Sequence, residues 1–255
     1  MLRALPLIIA NSATEAVEAI RLLGEALRLN ADYARAHAFR ALAYAQIFRA
    51  AGEPEREEAR AKSATHARRA LETANEDATA LAYAGFALLI VENDVGGARA
   101  ALDKAVALNP NSATAYGHRA AVLAMSGEQE RAIQDANRAL RLSPLDPAGY
   151  QAQMALAIAS IELRRYDDAV AWAHKVIEGA PPRYPMSYAW LIVAESARGN
   201  RAGAEQQLKR LARILPGFGP ATLAKLFGIF PEPLRSDSLP ILRAAGFVPD
   251  LETPS

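Results

Sequence analysis

The stretch ATAYGHRAAVLAMSGEQERAIQDANRALRLSP, residues 113–144, decides the fold. Two helix-compatible runs are separated by Ser126-Gly127-Glu128, and the second is closed by Pro144. Ala132 is a small residue early in the second run, Ala139 lies seven residues on, and Pro144 five further. Ser112, just ahead of the first run, is placed to cap it. The spacing predicts two antiparallel helices joined by a short break, with a proline turning the chain after the second because it cannot continue a helix.

Working outward, the same three positions recur. The first column reads Ala19, Ser63, Ala98, Ala132, Ala169, Ala204. The second reads Ala26, Ala70, Ala105, Ala139, Val176, Leu211, and the third Ala31, Asn75, Pro110, Pro144, Pro181, Pro216. All three columns step together by 44, 35, 34, 37 and 35 residues. Irregular steps shared by three columns are hard to obtain by chance, so the chain is an array of helix pairs. The small residues belong where the second helix crosses its neighbours, since only a small side chain allows close approach. The long step places an insertion after Phe48, with Gly52-Glu53-Pro54 as a break and Glu55 to Ala74 as an elongated second helix. Asp146-Pro147 reads as an N-cap followed by a first-turn proline.

Composition agrees. Hydrophobic residues make up 51% of 255, with alanine, the best helix former, prominent among them. No stretch alternates long enough for a strand. Lys plus Arg total 29 and Asp plus Glu 28, so a net charge of +1 gives no reason to expect nucleic acid or an anionic membrane as partner. Ala78 to Val91 is uncharged but shorter than the roughly 18–20 residues a spanning helix needs, so it predicts a helix buried between neighbours. The apolar run Ala4 to Ala10 is short for a secretion signal and carries Pro6. With no cysteine, these features fit a reducing, cytoplasmic compartment.

The segment Tyr116…Gly127…Ala132…Ala139…Pro144 resembles one tetratricopeptide repeat, as do Tyr188…Leu191…Gly199…Ala204…Pro216 and Arg165-Tyr166-Asp167-Asp168-Ala169 running to Pro181. The resemblance implies an all-α, right-handed solenoid of antiparallel helix pairs over residues 1–218. Its repeats fall at about 34–77, 78–112, 113–149, 150–184 and 185–218, after an incomplete first unit. Residues 219–255 are expected to form a C-terminal helical cap and tail: Leu223, Leu226, Phe227 and Phe230 make an apolar stripe, and Leu239, Leu242 and Phe247 a second layer. Phrases such as Leu142-Ser143-Pro144-Leu145-Asp146-Pro147 and the tail Leu242-Arg243-Ala244-Ala245-Gly246-Phe247 are similar to the repeat region of bacterial class III adenylate cyclase-like proteins and winged-helix regulators. That likeness implies a signalling role and an alternative in which the chain is the orphaned or truncated regulatory region of such a protein, its effector domain missing. Pro240 departs from that pattern and predicts a kink or a late helix start.

No catalytic constellation is legible. His37, His66, His118 and His174 show no helical metal-ligand spacing, Gly96-Gly97 lacks the Lys-Ser/Thr of a phosphate-binding loop, and Asp167-Asp168 suit a helix N-terminus. The expectation is a non-enzymatic module without cofactor or metal, binding a protein or peptide; a homo-oligomer is compatible with the pattern. The first helices of the pairs should line a concave groove. The register assigns to it Phe39, Leu42, Tyr83, Phe86, His118, Met125, Met154, Ile158, Trp190 and Val193, either as a docking surface or as packing between helices. Arg40 and Arg119 fill a slot that is ordinarily apolar, which predicts snorkelling, a buried ion pair or an anion site.

Overall fold

A computed structural model describes residues 3–50, 52–180, 184–228 and 230–248. Among them are fourteen α-helices and no strand: α1 (Leu5–Ile9), α2 (Ala13–Leu29), α3 (Ala34–Ala50), α4 (Glu55–Thr73), α5 (Ala78–Glu92), α6 (Val95–Leu108), α7 (Ala113–Met125), α8 (Gln129–Leu142), α9 (Tyr150–Glu162), α10 (Tyr166–Gly179), α11 (Pro185–Ala197), α12 (Arg201–Ile214), α13 (Pro220–Gly228) and α14 (Leu234–Ala244). The fold class is all-α, built from helix pairs as in tetratricopeptide-type solenoids. Two compact units divide the chain. One comprises residues 1–122 and 135–152, the other 123–134 and 153–255.

Local chemistry sets the helix ends. Ser12, Asp77, Asp94, Ser112 and Asn200 each accept a hydrogen bond from a first-turn backbone N–H, satisfying donors that no helical carbonyl reaches. Asp146 behaves differently from the expectation. Its side chain accepts from the Ala148 N–H at 2.8 Å and its carbonyl from the Gly149 N–H at 2.8 Å, so it closes a separate turn, and α9 begins only at Tyr150. Pro147 therefore lies outside that helix.

One slot of the register governs the break between paired helices. Asn93, Gly127, Arg164 and Gly199 each stand five residues before a first-column alanine, and each has a positive φ, of 53°, 86°, 57° and 82°. The left-handed residue reverses the chain. After the last three, Glu128, Arg165 and Asn200 donate backbone hydrogen bonds back to Leu123, Ser160 and Glu195, at 3.0, 2.8 and 2.9 Å, the six-to-one closure of a helix C-terminus. Arginine is the misfit, because its Cβ crowds the backbone in this conformation.

The small-residue column does what its spacing requires. Ala19, Ser63, Ala98, Ala132, Ala169 and Ala204 are all 0% exposed. Ser63, the polar member, donates its hydroxyl to the Ala41 carbonyl of α3 at 2.8 Å. The second column is buried from Ala70 to Leu211, with Ala26 half-buried; the third lies in exposed turns, apart from Pro181, which is outside the described residues.

In the first unit, α3 packs against α2, α4 and α5, and α5 against α6. The uncharged α5 is buried along nearly its whole length. Gly85 sets its approach to α6: a Cβ there would stand 2.9 Å from the Ala101 Cβ and 3.2 Å from the Ala98 carbonyl. Among the described residues no helix is long and apolar enough to cross a membrane.

In the second unit, Ala157 of α9, Ala173 of α10 and Leu191 of α11 pack together. Beyond α12, Phe227 of α13 meets Trp190 of α11 edge to face at 4.9 Å, and Phe230 lies 5.5 Å from the same indole. Leu223, Phe227 and Leu242 are buried, and α14 packs on both α11 and α13. α14 continues through Pro240, so the late start does not occur; the proline costs one intrahelical donor, and Gly246, just past the helix end, has a positive φ of 77°.

Two outcomes follow from this packing. Replacing Arg164 with Gly relieves the left-handed residue and should raise stability by about 0.5–1 kcal/mol, read as a higher urea midpoint with an unchanged slope. Ending the chain before Gly219 uncovers Trp190 and should lower the melting temperature by roughly 4 °C or more, with aggregation on heating.

Candidate protein-binding groove

The first unit brings five of the register-assigned residues together. Phe39 of α3 meets Tyr83 of α5 edge to face at 4.8 Å, and Tyr83 meets His118 of α7 at 5.3 Å. Phe86 stacks on His118 at 4.1 Å, with rings within 4° of parallel. Such pairs contribute about 0.5–1.5 kcal/mol each beyond their buried area. Phe39, Leu42, Phe86 and His118 are buried and Tyr83 is half-buried. These rings are first of all packing.

In the second unit Met154, Ile158, Trp190 and Val193 are buried, and Met125 is half-buried. Trp190 faces the tail aromatics Phe227 and Phe230. Eight of the ten assigned side chains are therefore buried within their own units rather than presented to solvent.

What lies over the first unit's ladder is a segment the register did not single out. Leu42, Tyr83, Phe86 and His118 border a small cavity whose other wall is Ile8, Ile9 and Asn11. Gln46, itself buried, donates from Nε2 to the Ile8 carbonyl at 2.7 Å. Arg49 donates to the Asn11 side-chain oxygen at 2.9 Å, and Asn11 donates in turn to the Tyr150 hydroxyl at 3.3 Å. Ala4 and Ile8 are buried by this arrangement. α1 is thus met in two ways, by apolar side chains and by an amide that captures its main-chain carbonyl. Gln46 and Arg49 follow Leu42 by four and seven residues, one face of a helix, so that part was legible. The partnership of Asn11 with Tyr150, 139 residues apart, left no local signal.

Burial dominates the electrostatics. His118 is pushed down from 6.5 to about 4, chiefly by desolvation, so its imidazole is neutral near pH 7. Its Nδ1 is buried without a hydrogen-bond partner, and the ring faces the Ala82 carbonyl, which fixes the proton on Nε2. His66 is also held down near 4, by burial, then by Arg40 and His37. His37 and His66, which the spacing did not pair, lie Nδ1 to Nδ1 at 2.8 Å. In the second unit, burial and then Asp237 raise the Glu162 carboxyl to about 8, so that it keeps its proton near pH 7. Among the described residues no three His, Cys, Asp or Glu side chains gather to hold a metal.

The tetratricopeptide repeat family model matches residues 101–134. Over this segment the chain is similar to tetratricopeptide repeats. A curated relative, the small glutamine-rich tetratricopeptide repeat-containing protein 2 of Mycosarcoma maydis, is 38% identical over 88 residues, 34% of this chain. The match spans only 24% of that relative's length. Among solved structures, the type IV pilus biogenesis factor PilW superposes with a TM-score of 0.56 at 16% identity, covering 81% of this chain and 89% of PilW. Human IFIT1, solved as a dimer with m7Gppp-AAAA, gives 0.65 at 13% identity, covering 91% of this chain and 54% of that one. At these identities the likeness concerns the tetratricopeptide fold.

The buried His118 has a pH consequence. The unfolded chain takes up its proton near pH 6.5 and the folded chain only near 4, so acidification favours unfolding across that window. At pH 5 this single group removes about 2 kcal/mol. The melting temperature should fall between pH 7 and 5, and His118→Phe, which keeps a ring on Phe86 but cannot titrate, should make that fall shallower.

Proposed function

We propose that this chain is a protein-interaction module, a scaffold without chemistry of its own, and that its docking surface is the face of α3, α5 and α7 on which its own α1 rests. The observation that carries the reading is the capture of the Ile8 carbonyl by Gln46 above an apolar floor. In that arrangement α1 is an internal stand-in for a bound partner: a short apolar segment, entered through Pro6 and ended by a polar Asn11. The partner class that fits is a helical or extended peptide carrying two or three aliphatic side chains and a free main-chain carbonyl. Leu42, Tyr83, Phe86 and His118 supply the floor, Phe39 backs Tyr83, and Gln46 and Arg49 supply the polar contacts. The tetratricopeptide likeness supports the same class of function. In this reading the helices after Phe218 serve as a cover for Trp190 and not as part of the docking face. The cyclase-type reading draws on short phrases of sequence alone, Leu142 to Pro147 and the tail among them.

The test separates the face from its occupant. Ile8→Asp in the full chain should expel α1 while leaving the helical content seen by circular dichroism unchanged. A labelled peptide of residues 3–12 should then bind this variant saturably, at least roughly tenfold more tightly than it binds the unaltered chain, whose face is filled. Adding Gln46→Ala and Leu42→Asp should abolish that binding. A folded Ile8→Asp chain that ignores the peptide refutes the docking face.

A further inference from the structure

Arg40 and Arg119 occupy the same place in the repeat, each nine residues after a third-column position. The neighbours of that place are fixed by register. Asp103 precedes Arg119 by 16 residues, and Gly24 precedes Arg40 by 16. Asp135 is the third residue after the column alanine Ala132, and His66 is the third after the column serine Ser63. Where one arginine has two carboxylates, the other has a glycine and a histidine.

The structure turns that difference into geometry. Arg119 is gripped on both sides: its Nε and Nη2 donate to the two oxygens of Asp135 at 2.6 and 3.0 Å, and its Nη1 donates to Asp103 at 2.9 Å. This fork-to-fork pairing is what a planar guanidinium does best. Arg40 reaches into the corresponding position. Its Nη1 lies 3.6 Å, and its Nη2 3.9 Å, from the point where a Cβ on Gly24 would stand. Nothing acidic meets it there. Among the described residues Arg40 has no ion pair and no side-chain hydrogen bond, and its Nε is buried without an acceptor. The Tyr44 ring lies 5.9 Å from its Cζ.

Among the described residues the surroundings supply no carboxylate to cancel that charge. Lys62 Nζ lies 5.6 Å from the same Tyr44 ring and feels Arg40 as a like charge. The His66 ring stacks on Tyr44 at 5.8 Å. The nearby acids are engaged elsewhere, Glu58 with Lys62 and Glu25 with Arg21 and Arg28. A half-buried guanidinium left without acceptors is costly, and its register twin shows which chemistry removes the cost.

We propose that Arg40 anchors an oxyanion-binding notch between α2 and α4, which takes a carboxylate- or phosphate-type group on the terminal nitrogens of its guanidinium. Gly24 leaves the place a side chain would fill, and the ligand stands where Asp103 stands for Arg119. The group belongs either to a small free anion or to an acidic side chain of a bound protein; both present coplanar or tetrahedral oxygens at the same spacing. The notch is separate from the α1 face, so the two proposals stand or fall independently.

The experiment is thermal melting of the full chain at fixed ionic strength with chloride replaced by acetate, inorganic phosphate or a blocked hexaglutamate peptide. The expected result is a saturable rise of about 2–4 °C with at least one of these probes. Gly24→Asp, which restores the carboxylate of the twin site, should raise the melting temperature without any probe and abolish the response. Gly24→Ala gains more helix propensity than Gly24→Asp but no charge, and should keep the response. Phosphate acting at tenfold lower concentration than acetate assigns the site to a free phosphate group; hexaglutamate acting at tenfold lower concentration than acetate assigns it to an acidic protein segment. No rise with any probe, or an undiminished rise in Gly24→Asp, overturns the site.

Discussion

The structure depends on one steric constraint, the close approach of each second helix to the first helices around it. All six residues of the first column are alanine or serine with no exposed surface, and Ser63 and Ala98 lie against α3 and α5. Helix axes pack 8–10 Å apart depending on the side chains between them, and a larger residue in this column would hold the pairs apart. Gly85 shows the tightest case, where even a methyl group would collide with Ala101. The periodicity of about 34–37 residues is the distance along the chain between such crossings, stretched to 44 where α4 is lengthened.

Because the helices approach so closely, the first helices of the pairs are buried on nearly all sides, and their polar groups must find partners within the stack. Some do: Ser63 bonds the Ala41 carbonyl, and Arg119 is closed in by Asp103 and Asp135. Breaking such a half-buried pair leaves an unmatched charge, which is costlier than never having had one. His118 resolves the same problem by remaining neutral under a stacked Phe86. Arg40 does not resolve it, and the contrast between two arginines in one register gives that slot its chemical interest.

The helix pairs, their breaks and their end signals were legible because they are local. Positive φ at Asn93, Gly127, Arg164 and Gly199 recurs at one offset from the column, and Asn or Gly at three of those positions announces it. Arg164 does not, since arginine carries no preference for the left-handed region. Asp146 was misread for a related reason: aspartate caps a helix or an isolated turn by the same hydrogen bond, and only the following Gly149 turn decides between them. The aromatic ladder stands on the first helices of the pairs, but register alone does not distinguish a ring that floors a groove from one that fills a core.

By itself the sequence determined the fold class, the order of the helix pairs, and the absence of any legible catalytic motif, all of which follow from spacing and residue size along a single stretch of chain. Only the tertiary structure decided what rests on what. It laid α1 on α3 beside a cavity shared with Tyr83, Phe86 and His118, joined Asn11 to Tyr150, set His37 against His66, and left Arg40 facing a glycine. The physical reason is range. Helix propensity, capping and period act within a turn or a repeat, whereas these contacts depend on which distant surfaces the packed alanine crossings bring within a few ångströms.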